Sequence, residues 1–420
     1  MSATAERISI QPARLRSNVA ALSVLQVLNY AVPLATVPYL VRVLGPAHFG
    51  LLAFAQAFVI YFDLITDYGS LLTATRSVAM HRHEPQTLVR IFWRTAAARL
   101  TLALACALVL GVLIFAVAPM RSAPLLYMAA FLTVIGTAVF PVWFFQGIEQ
   151  MRYVTAAHAS ARILTIPALV LLVHTPEHYV RAAAVQGAVP ILAGILLAPS
   201  ILGKLGYRFY RPDLRDIASV LREGWSGFIA SSAFVFNATA TITVLGLVSG
   251  PVEVGYYSAA DKVIRALGSM LNPATQALYP HLNSLRTRSL DLTVRLMRRS
   301  YLWIGLLALA LSVATFAAAG PVGLALWGRG FIRSITVLRC LSPLPLLLGL
   351  INLVGVQTLL VFGKDSLVSR SVFAGALVNV VLTGWLAAGN GAVGAAAANV
   401  ISAVLIVAAL AWSARRTGRQ

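Results

Sequence analysis

Eight ionisable residues stand inside otherwise apolar runs of this sequence: Asp63, Asp67, Arg99, Arg162, Asp261, Lys262, Arg265 and Arg339. If those runs cross a bilayer, each charge costs roughly 2.5–3.5 kcal/mol at the centre of a span. A charge survives there when it faces a wet cavity or a partner. Cations outnumber carboxylates in the set, so a cavity lined by them is net positive and attracts an anion. Guanidinium groups suit phosphate oxygens, which they bond bidentately. Lys262 and Arg265, three residues apart, share a helix face.

Arg99, Arg162, Lys262, Arg265 and Arg339 are therefore the candidate substrate-binding residues. A plainer reading stands beside two of them. Asp261 and Arg265 have the i, i+4 spacing of an ion pair, which alone accounts for both. Arg339, close to the end of its run, is long enough to snorkel. Asp63, Asp67 and Asp261 are candidates for gating or coupling. The first two read equally well as ion-pair partners, as an inner gate or as proton carriers. Uncharged polar groups agree with a wet interior. Gln26 and Asn29 fall with Asn18 and Pro33 near one stripe of the first run. Asn237 stands among Ser231, Ser232, Thr239, Thr241 and Thr243. Such hydroxyls and amides bind sugar, and they also serve as ordinary helix-packing groups.

Signs of covalent chemistry are lacking. There is no Gly-rich phosphate loop with its Lys, no zinc-type His-Glu pattern and no pair of acids on one loop. His81, His83 and Glu84 read as a solvated turn, and His174 and His178 flank a short loop. Cys106 and Cys340 lie deep in apolar runs as small hydrophobes. The sequence implies no metal, no cofactor and no enzyme.

The elements that must hold these groups are membrane helices. The chain is 59% apolar, only 11% charged, and has a mean hydropathy of +0.83. A soluble domain is nearer a quarter charged. Twelve spans are expected, at 17–41, 48–74, 92–118, 123–145, 155–174, 180–203, 224–248, 254–281, 300–327, 335–362, 367–388 and 392–413. The polar opening MSATAERISIQPARLRSN has no cleavage site after a short apolar core, so the first span is expected to insert and stay. Of the 33 Lys and Arg, 23 fall on one set of alternate loops and 5 on the other. By the positive-inside rule that asymmetry makes the span count even and both termini cytoplasmic. It also accounts for most of the net charge of +20, so nucleic-acid binding is not implied.

Near the midpoint, Leu214, Ile217 and Leu221 recur at helical spacing among Arg215 and Arg222. The pattern predicts a short amphipathic helix on the cytoplasmic face, within a linker at 206–223. On either side lie two six-helix lobes, 1–205 and 224–420, around a central cavity. An internal repeat supports the division. VLGPAHFGLLAFAQAF from Val43 and VSGPVEVGYYSAADKV from Val248 align at a shift of 205, with Gly45–Pro46 on Gly250–Pro251 and Gly50 on Gly255. Six helices per half is an even number, so the halves share one orientation, and alternating access is the expected motion.

Several segments resemble one known family. LNYAVPLATVPYLVRVLGPAHFGLLAFAQAF at 28–58 is similar to the opening signature of the Wzx-type O-antigen and polysaccharide flippases of the MOP exporter superfamily. ITDYGS at 65–70 with Arg76, PVWFFQGIEQM at 141–151, Gly224–Trp225, VGYYSAADKV at 254–263 and ALYPHL at 277–282 follow in that family's order. LSPLPLLLGLINLVGVQ at 341–357 matches more loosely. The resemblance implies an undecaprenyl-pyrophosphate-linked oligosaccharide as substrate, carried to the periplasmic leaflet of the inner membrane through a cationic lumen. A polysaccharide polymerase and a chain-length regulator would then be neighbouring partners. One departure is the span at 367–388, uncharged beyond Arg370, so any cation that relatives contribute there is missing here. Multidrug exporters of the superfamily take cations, which a positive cavity disfavours, and lipid II flippases have two further helices. An O-antigen polymerase or ligase is the alternative, but those carry a large periplasmic loop and the outer loops here are short.

Topology is tested by reporter fusions. Fusions at Arg419 and within 207–223 should be active only with a reporter that works in the cytoplasm, and a periplasmic signal at either would overturn the even span count.

Overall fold

The computed structural model describes residues 12–206, 208–271, 290–362 and 364–417, with Leu278 and Leu282, and residues 12–30 as backbone alone. All regular structure among them is helical. The helices are α1 (Pro12–Asp67), α2 (Ser70–Met80), α3 (Pro85–Ala116), α4 (Pro124–Val139), α5 (Val142–Gly147), α6 (Met151–Leu172) and α7 (Tyr179–Lys204). They continue as α8 (Leu214–Ser249), α9 (Pro251–Ser269), α10 (Leu290–Trp327), α11 (Ile332–Leu341), α12 (Leu344–Ile351) and α13 (Asp365–Thr417). Nine helical stretches among the described residues are long and apolar enough to cross a membrane. Phe115, Leu171, Val381 and Trp385 are 76%, 71%, 70% and 74% exposed. Large apolar side chains turned outward in this number need lipid around them. The chain is an all-α, multi-pass membrane protein.

Two of the stretches hold two expected spans each. Ala31–Met80 covers the end of 17–41 and all of 48–74, and Ser366–Arg416 covers 367–388 and 392–413. Each bends at a glycine with positive φ, Gly45 (φ 69°) and Gly391 (φ 55°). The expected span at 254–281 is helical through Ser269, and its end lies outside the described residues, as does most of ALYPHL. Prolines at the first helical position open α3, α4 and α9, where a missing N–H costs nothing.

The expected separate amphipathic helix is absent. Residues 208–213 are irregular, and α8 then runs unbroken from Leu214 to Ser249. Its start is set by a capping box. The Asp213 carboxylate accepts from the Asp216 N–H at 2.7 Å, and the Asp216 carboxylate accepts from the Asp213 N–H at 3.3 Å. Asp216 also accepts from the Tyr210 hydroxyl at 2.6 Å and pairs with Arg90 of α3 at 3.2 Å. Helix signals at 214–222 were legible, but nothing after them breaks the helix before the apolar run begins.

The two repeat segments meet each other. The part of α1 after Gly45 packs along α9. At the crossing, a Cβ on Gly50 would fall on the Pro251 carbonyl, and a Cβ on Gly255 would fall on the Pro46 carbonyl. Each glycine touches the opposite repeat's proline, a reciprocal contact that only two hydrogens at Cα permit. Helices α4, α6 and α7 gather on α1, while α13 gathers on α8 and α11 on α9. At the other, arginine-rich end, Tyr68 (φ 44°) and Gly69 (φ 72°) turn the chain between α1 and α2. There Tyr68 stacks on Phe228 of α8 at 4.8 Å. PVWFFQG builds the core nearby: Trp143, Phe144 and Phe145 are fully buried with Phe92, and Gly147 lies against Val78.

Gly255→Ala should destabilise the protein by about 1–3 kcal/mol through overpacking. Gly111→Ala, at a helical glycine with open space around it, should be neutral or stabilising by about 0.5–1 kcal/mol. Melting temperatures of the two variants in detergent check the contrast.

Candidate functional site

Polar residues of five helices converge below the glycine–proline crossing. Asp63 and Gln56 come from α1, Thr133 and Thr137 from α4, His158, Arg162 and Thr165 from α6, Gln186 from α7 and Lys262 from α9. Together they line a cavity of ≈ 380 Å³. His158, Arg162 and Thr165 are spaced i, i+4 and i+7, so one face of α6 turns inward. The Gln56 side-chain amide donates to the Gln186 side-chain carbonyl at 3.2 Å, tying α1 to α7 across the cavity wall. His158 stacks on Phe140 at 5.8 Å.

Two smaller cavities adjoin the first. One of ≈ 240 Å³ lies between α1, α8 and α9 and includes Gln56, Asp261, Lys262 and Arg265. The other, of ≈ 210 Å³, lies between α1, α9 and the end of α10, and is walled by Pro33, Leu34, Val37, Leu326 and Trp327 with Lys262 and Arg265. Lys262 belongs to all three. The main cavity thus carries Arg162 and Lys262 against Asp63, and each smaller one carries Lys262 and Arg265. Only Asp261 opposes them there. A net-positive lining holds in every compartment, which favours an anionic ligand over a cationic one.

Asp261 is buried and accepts from Nε of Arg265 at 2.6 Å, the i, i+4 pair that the spacing allowed. Arg265 also donates to the Ala238 carbonyl of α8 at 2.8 Å, while its side chain remains 44% exposed to the cavities. Arg99 is elsewhere. It is buried against α4, donates to the Thr137 carbonyl at 2.8 Å and faces Asp67 at 3.6 Å. It is not among the residues lining these cavities. Thr137 connects the two acids, because its hydroxyl donates to the Asp63 carboxylate while its carbonyl accepts from Arg99. Ser70 donates to Asp67 at 3.2 Å. Arg339 is exposed on α11 above Gly320, away from the cavities. Asn237 is half-buried on α8 and is not among the lining residues either. Gln26 and Asn29 lie where only backbone is described. Cys106 and Cys340 are free thiols. Among the described residues no cluster of His, Cys, Asp or Glu has the arrangement of a metal site.

Sequence reasoning passed over His158, Gln56 and Gln186. His158 carried a signal, one turn before Arg162 on the same helical face. Gln56 carried another, since the repeat shift of 205 places it on Asp261, and both line the ≈ 240 Å³ cavity. Gln186 had none, because it faces the cavity only through the packing of α7 on α4.

Residues 15–286 match the family described as polysaccharide biosynthesis protein. A relative from Escherichia coli (strain K12), named "Putative O-antigen transporter", is 30% identical over 368 residues, covering 88% of this chain and 89% of its own. Among solved structures, the lipid II flippase MurJ in an inward closed conformation has a TM-score of 0.73 at 11% identity, covering 95% of this chain and 87% of that one. An inward-facing multidrug resistance MATE transporter of the MOP superfamily has a TM-score of 0.67 at 14% identity, covering 96% and 98%.

Arg99 and Asp67 form a pair with one buried partner, and removing one member of a buried pair costs about 3–5 kcal/mol. Arg99→Ala should therefore lower the melting temperature or the membrane yield. The double variant Arg99→Met with Asp67→Asn should recover much of that loss, as measured by the same melting curves.

Proposed function

The chain belongs to the polysaccharide biosynthesis protein family, and from that membership and the geometry of its cavities we propose that it is a flippase for a polyprenyl-pyrophosphate-linked oligosaccharide. The observation that carries this reading is the position of Lys262, where a polar compartment, a cationic compartment and an apolar compartment meet. That order is the order of groups along such an amphiphile. The sugar unit occupies the ≈ 380 Å³ cavity among threonines, glutamines and His158. The pyrophosphate rests on Lys262 and Arg265, with Arg162 reaching it from α6. The first isoprene units lie against Pro33, Leu34, Leu326 and Trp327. An apolar exit is needed because a polyprenyl tail removed from lipid loses about 0.8 kcal/mol for each CH₂ exposed to water.

The protein sits in the bacterial inner membrane with both termini and the 206–223 linker in the cytoplasm. The glycine–proline crossing then faces the periplasm, and its tight packing shuts the cavities on that side, leaving substrate to enter from the cytoplasmic leaflet. Residues 1–205 and 224–420 rock against each other, opening the crossing as the arginine-rich end tightens. Binding energy from pyrophosphate contacts is available to bias that motion only in so far as the two states bind it differently. Arg99 supports the site from behind, by holding α3 and α4 beside Asp63 and Asp67.

A deletion strain separates this reading from its competitors. Loss of a flippase should trap one complete oligosaccharide unit on its polyprenyl carrier in the cytoplasmic leaflet and empty the surface of polysaccharide. A polymerase defect would deliver single units to the surface, and a drug exporter's loss would leave polysaccharide unchanged. In complementation, Arg162→Ala should abolish surface polysaccharide with protein still in the membrane, and Arg162→Lys should restore part of it. Normal polysaccharide with Arg162→Ala would remove Arg162 from the site.

A further inference from the structure

We propose that Lys262 and Phe49 form a latch on the outer crossing, and that the anionic headgroup of the substrate releases it by drawing Lys262 away. This rests on the pyrophosphate reading above. The Lys262 ammonium lies over the face of the Phe49 ring, 5.7 Å from its centroid. Among the described residues it makes no ion pair and no hydrogen bond, so the ring is the partner that holds it. Phe49 is 1% exposed and immediately precedes Gly50, whose Cα packs on the Pro251 carbonyl. The ring therefore belongs to the first repeat segment and sits at the closure itself.

Its socket is built from the second segment together with Phe331 and Arg333. Phe331 meets Phe49 edge-on at 6.3 Å, and Tyr256 meets Phe331 at 5.7 Å. Tyr256 carries Arg333 over its own face at 5.6 Å, and Arg333 is paired to Glu253 at 2.7 Å. Glu253 in turn accepts from the Ala392 N–H at 2.8 Å, at the start of the helix beyond the Gly391 bend. Every member of this socket except Lys262 is thus anchored on its far side by protein. Lys262 alone stands open to all three cavities.

A pyrophosphate arriving in those cavities competes with the ring for one ammonium. A charge pair beats a ring quadrupole in that competition, because the anion brings full charge and accepts hydrogen bonds that the ring does not. When Lys262 turns to the anion, Phe49 loses the contact on its face and the two repeat segments lose one of their cross-links. A desolvated cation–ring contact of this kind changes an equilibrium by about 2- to 30-fold. That bounds what the latch contributes to opening. It biases the outer gate, while the glycine–proline packing supplies the closure.

The test is a double-mutant cycle read by distance. Spin labels at Val43→Cys and Val248→Cys, in a chain with Cys106 and Cys340 replaced by Ser, report the separation of the outer ends in lipid nanodiscs. Phe49→Leu and Lys262→Met keep apolar volume and remove the contact from either side. Each should raise the open-to-closed ratio without ligand by about 2- to 30-fold. The double variant should rise no further than the larger single. Polyprenyl pyrophosphate without sugar is the probe, its binding to unsubstituted protein measured by native mass spectrometry. It should raise the open share of the Phe49 and Lys262 parent and have little further effect in Phe49→Leu, which still binds it. Additive single effects, or an unchanged ratio in Phe49→Leu, overturn the latch. Coupling between the two residues without any binding of the probe overturns the substrate reading instead.

Discussion

The structure depends on a backbone contact. Where α1 crosses α9, two glycines a repeat apart each receive the carbonyl of the other segment's proline. Helices with side chains at a crossing stand 8–10 Å apart, and small residues let them approach more closely. The approach brings Phe49 onto Lys262 and sets Gln56 opposite Arg265 across one small cavity. The kinks at Gly45 and the break at Gly250 (φ 82°) follow from the same motif, because a proline that opens a new helix must be preceded by a turn. The repeat is thus a self-complementary joint, and each copy is shaped to be the other's partner.

Around that joint, the cost of charge in a bilayer sorts the ionisable residues. Arg99 with Asp67 and Asp261 with Arg265 settle their cost in pairs, and each guanidinium also donates to one backbone carbonyl. Asp63 is held by a threonine hydroxyl. The cations facing the cavities leave their lining positive. Polarity falls away from α6 and α7 toward α10, and that gradient gives the cavity a direction.

The arginine-rich end is held by different forces. Tyr68, Trp225 and Phe228 cluster by ring contact, and Arg90–Asp216 and Arg94–Glu223 bridge α3 to the start of α8. Each pair has one member largely out of solvent, Asp216 at 6% and Arg94 at 20% exposed, so salt screens them less than fully exposed pairs worth about 0–1 kcal/mol. Both ends also carry tight glycine packing, since a Cβ on Gly224 would fall on the Tyr68 carbonyl just as one on Gly50 would fall on that of Pro251.

Membrane class and helical fold were legible in the sequence because hydrocarbon permits few spanning structures, and twenty apolar residues in a row announce one of them. The repeat at Val43 and Val248 was legible too, as was the i, i+4 pairing of Asp261 with Arg265, since a helix fixes both by local geometry. The boundary at Leu214 was half legible. Its amphipathic spacing was visible, but the continuity of α8 through Gly224 and Gly227 depends on Tyr68 and Gly69 packing against them. Tertiary structure alone decided which charges face the cavities. Arg99 and Arg162 look alike in sequence, each near the middle of its span. Arg99 is directed at α4 and its carbonyl, and Arg162 turns with His158 toward open space. Sequence spacing gives a helix its faces, but the neighbour that each face meets comes from long-range packing, and one residue's periodicity carries no information about that.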